Sequence, residues 1–181
     1  MAGCRPLSEV EVFQVLGALK NERDKLLFIL GIRTGFRISE LLALRVNDVY
    51  RDGAALPKVK VLKRYIKEKK GSREIPLHPQ AQAMINLYVK TLKGPDLFPS
   101  RMGGTITRYT AHTMLKDGFK RAGLKGALAT HSMRKSFAKK IYAALGHDLV
   151  SLRDALGHSN VSTTMSYVTP NQSAIDRAVM D

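Results

Sequence analysis

Lys58-Val59-Lys60-Val61-Leu62-Lys63-Arg64-Tyr65-Ile66-Lys67-Glu68-Lys69-Lys70-Gly71-Ser72-Arg73-Glu74-Ile75-Pro76-Leu77 is the stretch where the hydrophobic period of this chain changes. Val59 and Val61 alternate with Lys58, Lys60 and, less cleanly, Lys63, while Ile75 and Leu77 close the stretch. Period two is the mark of a half-buried strand. Between the alternating arms lies a lysine-rich, glycine-containing turn over residues 67–73. Together they predict a β-hairpin or small antiparallel sheet between about Val46 and Pro79. On both sides the period is helical, so the expected fold is α+β, mostly α-helical with that one small sheet.

Outward toward the N-terminus, Ser8 with Glu11 three residues on predicts a capping box, and Val10, Phe13, Leu16 and Leu19 follow at helical spacing. A second helix is expected from about Glu22 to Arg33, broken at Thr34-Gly35, and a third short one carries Ile38, Leu41, Leu42 and Leu44. Toward the C-terminus helices resume near His78, with Ala81, Met84, Ile85, Tyr88 and Leu92 on one face. Gly94-Pro95 and Gly103-Gly104 bound a loop. Helices are then expected over Thr107–Ala122, Ser132–Leu145, Leu149–Leu156 and near Val161–Tyr167.

The 181 residues suit one domain. The single cysteine, Cys4, excludes an intramolecular disulfide and a cysteine-based zinc finger. No apolar run approaches the ~18 residues of a membrane span. The first residues lack the basic start and apolar block of a secretory signal. Thirty Lys and Arg face 15 Asp and Glu, a net charge of +15. So large a surplus favours a polyanionic partner. With no Trp and few aromatics, phosphate contact to a duplex fits better than a single-strand stacking platform.

No P-loop and no G-x-S-x-G is present, and the five histidines show no metal-ligand spacing. Three fragments remain. In Thr34-Gly35-Phe36-Arg37-Ile38-Ser39-Glu40, Arg37 stands where a tight turn enters a helix, with Glu40 on the same side. Alone, that pair reads as a surface ion pair. In His131-Ser132-Met133-Arg134 the i,i+3 spacing sets a proton acceptor beside an oxyanion clamp, a pairing that chance also produces. Leu156-Gly157-His158 is followed nine residues later by Tyr167. Ala144-Leu145-Gly146-His147 repeats the letters of residues 155–158 but has Leu156 at the matching distance, so His147 reads as a helix-end residue.

Together TGFRISELLAL, HSMRKSFA and LGHSNVSTTMSYV resemble, in order, the catalytic domain of the tyrosine recombinases, the phage integrase family. The resemblance runs from Arg37 to Tyr167. It implies a site-specific recombinase that cuts and rejoins DNA through a covalent 3′-phosphotyrosyl link. By match, Tyr167 is the nucleophile, His131 the supporting base, Arg37 and Arg134 the clamps on the non-bridging oxygens, and His158 a further phosphate donor. Glu40 stands behind Arg37 as its orienting group. A hairpin lysine is the expected acid for the leaving 5′-oxygen, and among Lys67, Lys69 and Lys70 the choice falls on Lys69.

With two guanidiniums to neutralise charge, the resemblance implies no metal, and with the bond energy kept in the covalent link, no ATP or other cofactor. The implied partners are double-stranded recombination sites and three further copies of the chain, with C-terminal tails exchanged in a homotetramer. Pro170 and a short helix begun by Ser173 would form the tail. The implied setting is the cytoplasm of a prokaryotic cell, with the gene there or on a phage or mobile element. Most members carry a preceding DNA-clamping domain of ~80–100 residues, for which 181 residues leave no room. Two readings stay open: an excised catalytic domain, or a naturally short recombinase like the fimbrial-switch invertases. A topoisomerase or a hairpin-forming resolvase shares the chemistry, and a non-cleaving accessory protein shares the charge.

Overall fold

Ser8 caps the first helix, α1 (Glu9–Ala18), and the reciprocal bonds of the capping box form as the sequence predicts: Glu11 N–H to Ser8 Oγ and Ser8 N–H to Glu11 Oε2. The helix buries Val12 and Val15, whereas Val10 and Phe13 are exposed. The apolar spacing of Val10, Phe13 and Leu16 therefore marked the helix but not its inner face. The packing partner is α6 (Arg108–Arg121), whose Gly118 admits Leu19 of the segment after α1.

The computed structural model describes residues 3–61, 73–165, 167 and 180. The chain divides into two units, Met1–Phe137 and Ala138–Asp181.

In the first unit α2 (Glu22–Thr34) is the central helix. Leu26, Leu27, Phe28, Ile29 and Leu30 are all fully buried, as a helix apolar all round must be. It packs against α3 (Ile38–Leu42), α5 (Pro79–Tyr88) and α6. Asn21 caps its start, and Gly35 in the left-handed conformation, φ 63°, ends it.

The expected β region begins with a short helix instead, α4 (Val46–Val49), because the Asp48 carboxylate accepts the Arg45 backbone N–H and closes a helical turn. Two antiparallel ladders follow: β1 (Tyr50–Arg51) with β2 (Ala54–Ala55), and β3 (Lys58–Val61) with β4 (Arg73–Pro76). In the second ladder Val59 pairs with Ile75 and Val61 with Arg73, so the hairpin reading of the two arms holds. The lysine-rich segment joining them, with Lys67, Lys69 and Lys70, lies outside the described residues.

α7 (Thr130–Ala144) starts two residues earlier than the sequence suggests, and the division between units falls within it. In the second unit, Tyr142 N–H and C=O lie in the last turns of α7, and Gly146 and His147, both at positive φ, terminate it. The His147 N–H returns to the Tyr142 carbonyl, and the two rings meet edge to face at 4.8 Å. His147 is thus the helix-end residue its sequence context suggests. α8 (Leu149–Leu156) is capped by Asp148 and closed by Gly157 at φ 66°. α9 (Val161–Met165) packs on α8. Among the described residues no helix is long and apolar enough to cross a membrane.

Candidate active site

Arg37 is placed by the end of one helix and the start of the next. Gly35 turns the chain out of α2, Phe36 is driven into the core at 1% exposure, and Arg37 becomes the N-cap residue of α3. Glu40, in the first turn of α3, is buried and holds Arg37 twice. Its Oε2 accepts the Arg37 backbone N–H at 2.7 Å and its Oε1 accepts an Arg37 Nη1 hydrogen at 2.9 Å. The Arg37 side chain keeps 35% of its surface open. The pair that reads alone as a surface contact is a buried carboxylate orienting a half-open guanidinium.

Arg134 comes to the same place from α7. Among the described residues it is the largest fully buried side chain, at 1% exposure. Its Nη1 donates to the carbonyl of Gly35, so the turn that sets Arg37 also accepts the second arginine. Gly35 can hold this position because a β-carbon there would collide with the Phe137 ring, and because L-residues avoid its positive φ.

His131 lies one turn before Arg134 on α7, exposed at the surface while part of its ring is desolvated. That desolvation, and then the positive charges of Arg134, Lys135 and Arg37, lower its pKa below the ordinary histidine value. The imidazole is therefore neutral near pH 7, the form that accepts a proton. Arg37, Glu40, His131 and Arg134 thus form one electrostatically coupled cluster in the first unit.

The second unit holds the other two. His158 follows the Gly157 turn, with its backbone N–H on the Arg153 carbonyl at 3.0 Å. It is buried, and its Nδ1 lies 2.9 Å from the hydroxyl of fully buried Thr164. Tyr167 sits in the turn after α9, with its N–H on the Thr164 carbonyl at 2.9 Å. Its ring centroid is 5.3 Å from that of His158. Thr164 therefore positions both, one through its side chain and one through its backbone. Lys69 falls outside the described residues.

One residue of the first cluster escaped the sequence reading. Arg73, first in β4, has its guanidinium 3.6 Å from Glu40 Oε2 and 4.7 Å from the centre of the Phe36 ring. The available signal was its register: Arg73 shares the inward face of its strand with Ile75, and Leu77, two residues beyond, is buried.

Comparison with known proteins follows the same lines. The model of the phage integrase family matches residues 5–174. The tyrosine recombinase XerD of Corynebacterium glutamicum is 33% identical over 154 residues, 80% of this chain and 47% of that protein. A probable integrase/recombinase of Bacillus subtilis, YoeC, is 32% identical over 167 residues, 91% of this chain and 87% of that protein. Thus the chain spans about half the length of the XerD relative and most of the second. Among solved structures, XerA recombinase superposes with a TM-score of 0.79 at 22% identity, over 99% of this chain and 64% of that one. XerH recombinase bound to its difH substrate gives 0.75 at 22% identity, over 96% and 53%. These likenesses are of fold.

Proposed function

This chain belongs to the phage integrase family, and from that premise we propose that it cleaves and rejoins duplex DNA at specific sites through Tyr167. The observation that carries the reading is the cluster in the first unit: a buried arginine, a half-open arginine held by a buried carboxylate, and a histidine kept neutral beside them.

The chemistry balances without an outside energy source. The Tyr167 oxygen attacks the scissile phosphorus, and its proton passes to His131, since a phenol of pKa near 10 is a weak nucleophile until it loses that proton. Arg37 and Arg134 donate to the two non-bridging oxygens as charge gathers there. His158 adds a further donor. The bond to the 5′-oxygen breaks, Lys69 supplies the proton, and a 5′-hydroxyl leaves. A 3′-phosphotyrosyl ester remains, and a 5′-hydroxyl attacking it reverses every step.

Duplex recombination sites are the proposed substrate. The +15 charge supports it, and so do solved structures of like fold, the Tn1549 transposon integrase in complex with transposon right end DNA and XerH recombinase bound to its difH substrate. Four copies acting on two sites, with tails beyond Pro170 exchanged between neighbours, complete the proposal. The proposed setting is the cytoplasm of a prokaryotic cell, where such sites lie.

Incubation with nicked suicide duplexes tests it. The wild-type chain is expected to form a protease-sensitive covalent adduct, and Tyr167→Phe to bind DNA without forming one. An adduct that survives in Tyr167→Phe, or maps to Tyr142, would overturn the assignment. Truncation after Pro170 is expected to leave single-site cleavage in place and abolish the paired-site complex.

A further inference from the structure

An arginine at a core-facing register position of a strand is an expensive choice, because a buried charge needs compensation. Arg73 has little. Its side chain is 11% exposed, and none of its three guanidinium-group nitrogens makes a hydrogen bond among the described residues. Its neighbours are the Glu40 carboxylate at 3.6 Å, the face of Phe36 at 4.7 Å, and the like charges of Arg134 and Arg37. Burial, then those two arginines, against the pull of Glu40, bring its pKa down to about 10, so it stays charged at neutral pH. Leu, Val or Met would fill the same strand position with no such penalty.

What the charge accomplishes is legible at Glu40. Oε1 is committed to the Arg37 side chain. Oε2 accepts the Arg37 backbone N–H and faces Arg73. Held by Arg37 alone, the carboxylate has no anchor outside the residue it must orient, and the two can shift together about the broad last torsion of Glu40. Held by cations at both oxygens, it stays put.

We propose that Arg73 is a positioning residue for strand cleavage, fixing Glu40 so that Arg37 presents its open face to the scissile phosphate. The assignment rests on the cleavage chemistry proposed above. In this role Arg73 acts through Glu40, whose Oε2 lies 3.6 Å from its guanidinium, and needs no contact with DNA. It also completes, among the described residues, a set of three guanidiniums against one carboxylate, a formal +2 that favours an anion in the site. Arg73 opens the strand that directly follows the lysine-bearing segment in the chain, so the anchor and the expected acid lie on one short stretch of sequence.

The test is single-turnover cleavage of suicide duplexes by wild type, Arg73→Met, Arg73→Lys, Glu40→Gln and the Arg73→Met/Glu40→Gln double variant. On ordinary DNA, Arg73→Met is expected to be slower by roughly 10- to 100-fold, the scale of a misplaced catalytic group. Glu40→Gln should lose a similar factor, and the double variant no more than the worse single. Arg73→Lys, which keeps the charge, should recover at least half of the lost rate on a logarithmic scale.

A second substrate separates positioning from general damage. A methylphosphonate at the scissile position lacks one charged oxygen, and the diastereomer on which Arg37→Ala regains activity is the one that no longer needs Arg37. On it Arg73→Met and wild type should cleave equally fast. Multiplying losses in the double variant, or an equal loss on both substrates, would overturn the assignment. So would a wild-type rate in Arg73→Met. Should Arg73→Met fail to fold, the substrate selectivity of Arg73→Lys decides in the same way. No adduct from the wild type would instead overturn the proposed function, and this assignment with it.

Discussion

The carbonyl of Gly35 accepts a hydrogen bond from the buried guanidinium of Arg134, across 99 residues of chain. The same glycine ends α2 at φ 63° and hands the chain to Arg37. One peptide therefore ties together the two arginines proposed to hold the phosphate.

Gly35→Ala strikes both roles. The left-handed conformation costs an alanine ~1–2 kcal/mol, and the added methyl runs into the Phe137 ring. Displacing the carbonyl would weaken a buried charge-assisted hydrogen bond of Arg134, a loss of ~1.5–3 kcal/mol. We expect urea denaturation to show destabilisation of at least ~2 kcal/mol, with cleavage falling further than stability explains. A variant with unaltered midpoint and cleavage rate would contradict this account of the turn.

Arg37→Lys and Arg134→Lys keep charge and lose the planar fork. Cleavage should drop on the order of 10²-fold or more, as for other lost oxyanion donors. Binding to duplex, measured by fluorescence anisotropy, should change far less for Arg37→Lys. Parallel loss of binding and cleavage would reduce Arg37 to a general DNA contact.

For His131 the sign is fixed by its lowered pKa. The neutral ring is the active base, so cleavage should hold as pH falls to 6.5 and decline only below that ordinary value. His131→Gln should be slower and lack this acidic limb. Because the folded pKa lies below the unfolded one, the stability that His131 contributes is present above about pH 6.5 and lost as pH falls through the folded value. An acidic limb centred above 6.5 would contradict the electrostatics of the cluster.

Lys69 is tested with a 5′-bridging phosphorothiolate, whose leaving group needs no proton. Lys69→Ala should cleave it at close to the wild-type rate and fail on ordinary DNA. Rescue seen in Lys67→Ala or Lys70→Ala, and not in Lys69→Ala, would move the acid to that residue.

Electrostatics on the scale of the whole chain gives a further check. With +15 to neutralise phosphates, log affinity should fall with log salt at roughly −0.9 per phosphate contacted. Salt-independent binding to duplex would remove the charge argument for a DNA partner.

Much of the architecture was legible because it is written in local terms. The capping box at Ser8 and Glu11, the span Leu149–Leu156 with Gly157 after it, and the Val59–Ile75 pairing arise from neighbours a few residues apart or from strand alternation. Arg37, His131, Arg134, His158 and Tyr167 were singled out by the order of three short fragments along the chain, and their proposed roles rest on that resemblance. Local spacing marked α1 but not its buried stripe: Val10 and Phe13 face solvent, because which apolar stripe is buried depends on where α6 lies. It placed the start of the β region at Val46, where a helix stands instead, because one carboxylate, Asp48, closes a helical turn inside a region of changing period.

What tertiary structure alone decided is the environment of each charge. Arg37 with Glu40 reads in sequence as an exposed i,i+3 pair, yet folding buries the carboxylate at 4% exposure and leaves the guanidinium half open. Arg134 reads as a helix-face arginine and is fully buried on a glycine carbonyl 99 residues away in sequence. Arg73 reads as one more cation in a basic segment and becomes a buried ion held between Glu40 and Phe36. A residue's type and spacing are properties of the chain, whereas desolvation and the sign of the nearest charge are set by groups far away in sequence, and those determine what an ionisable side chain does.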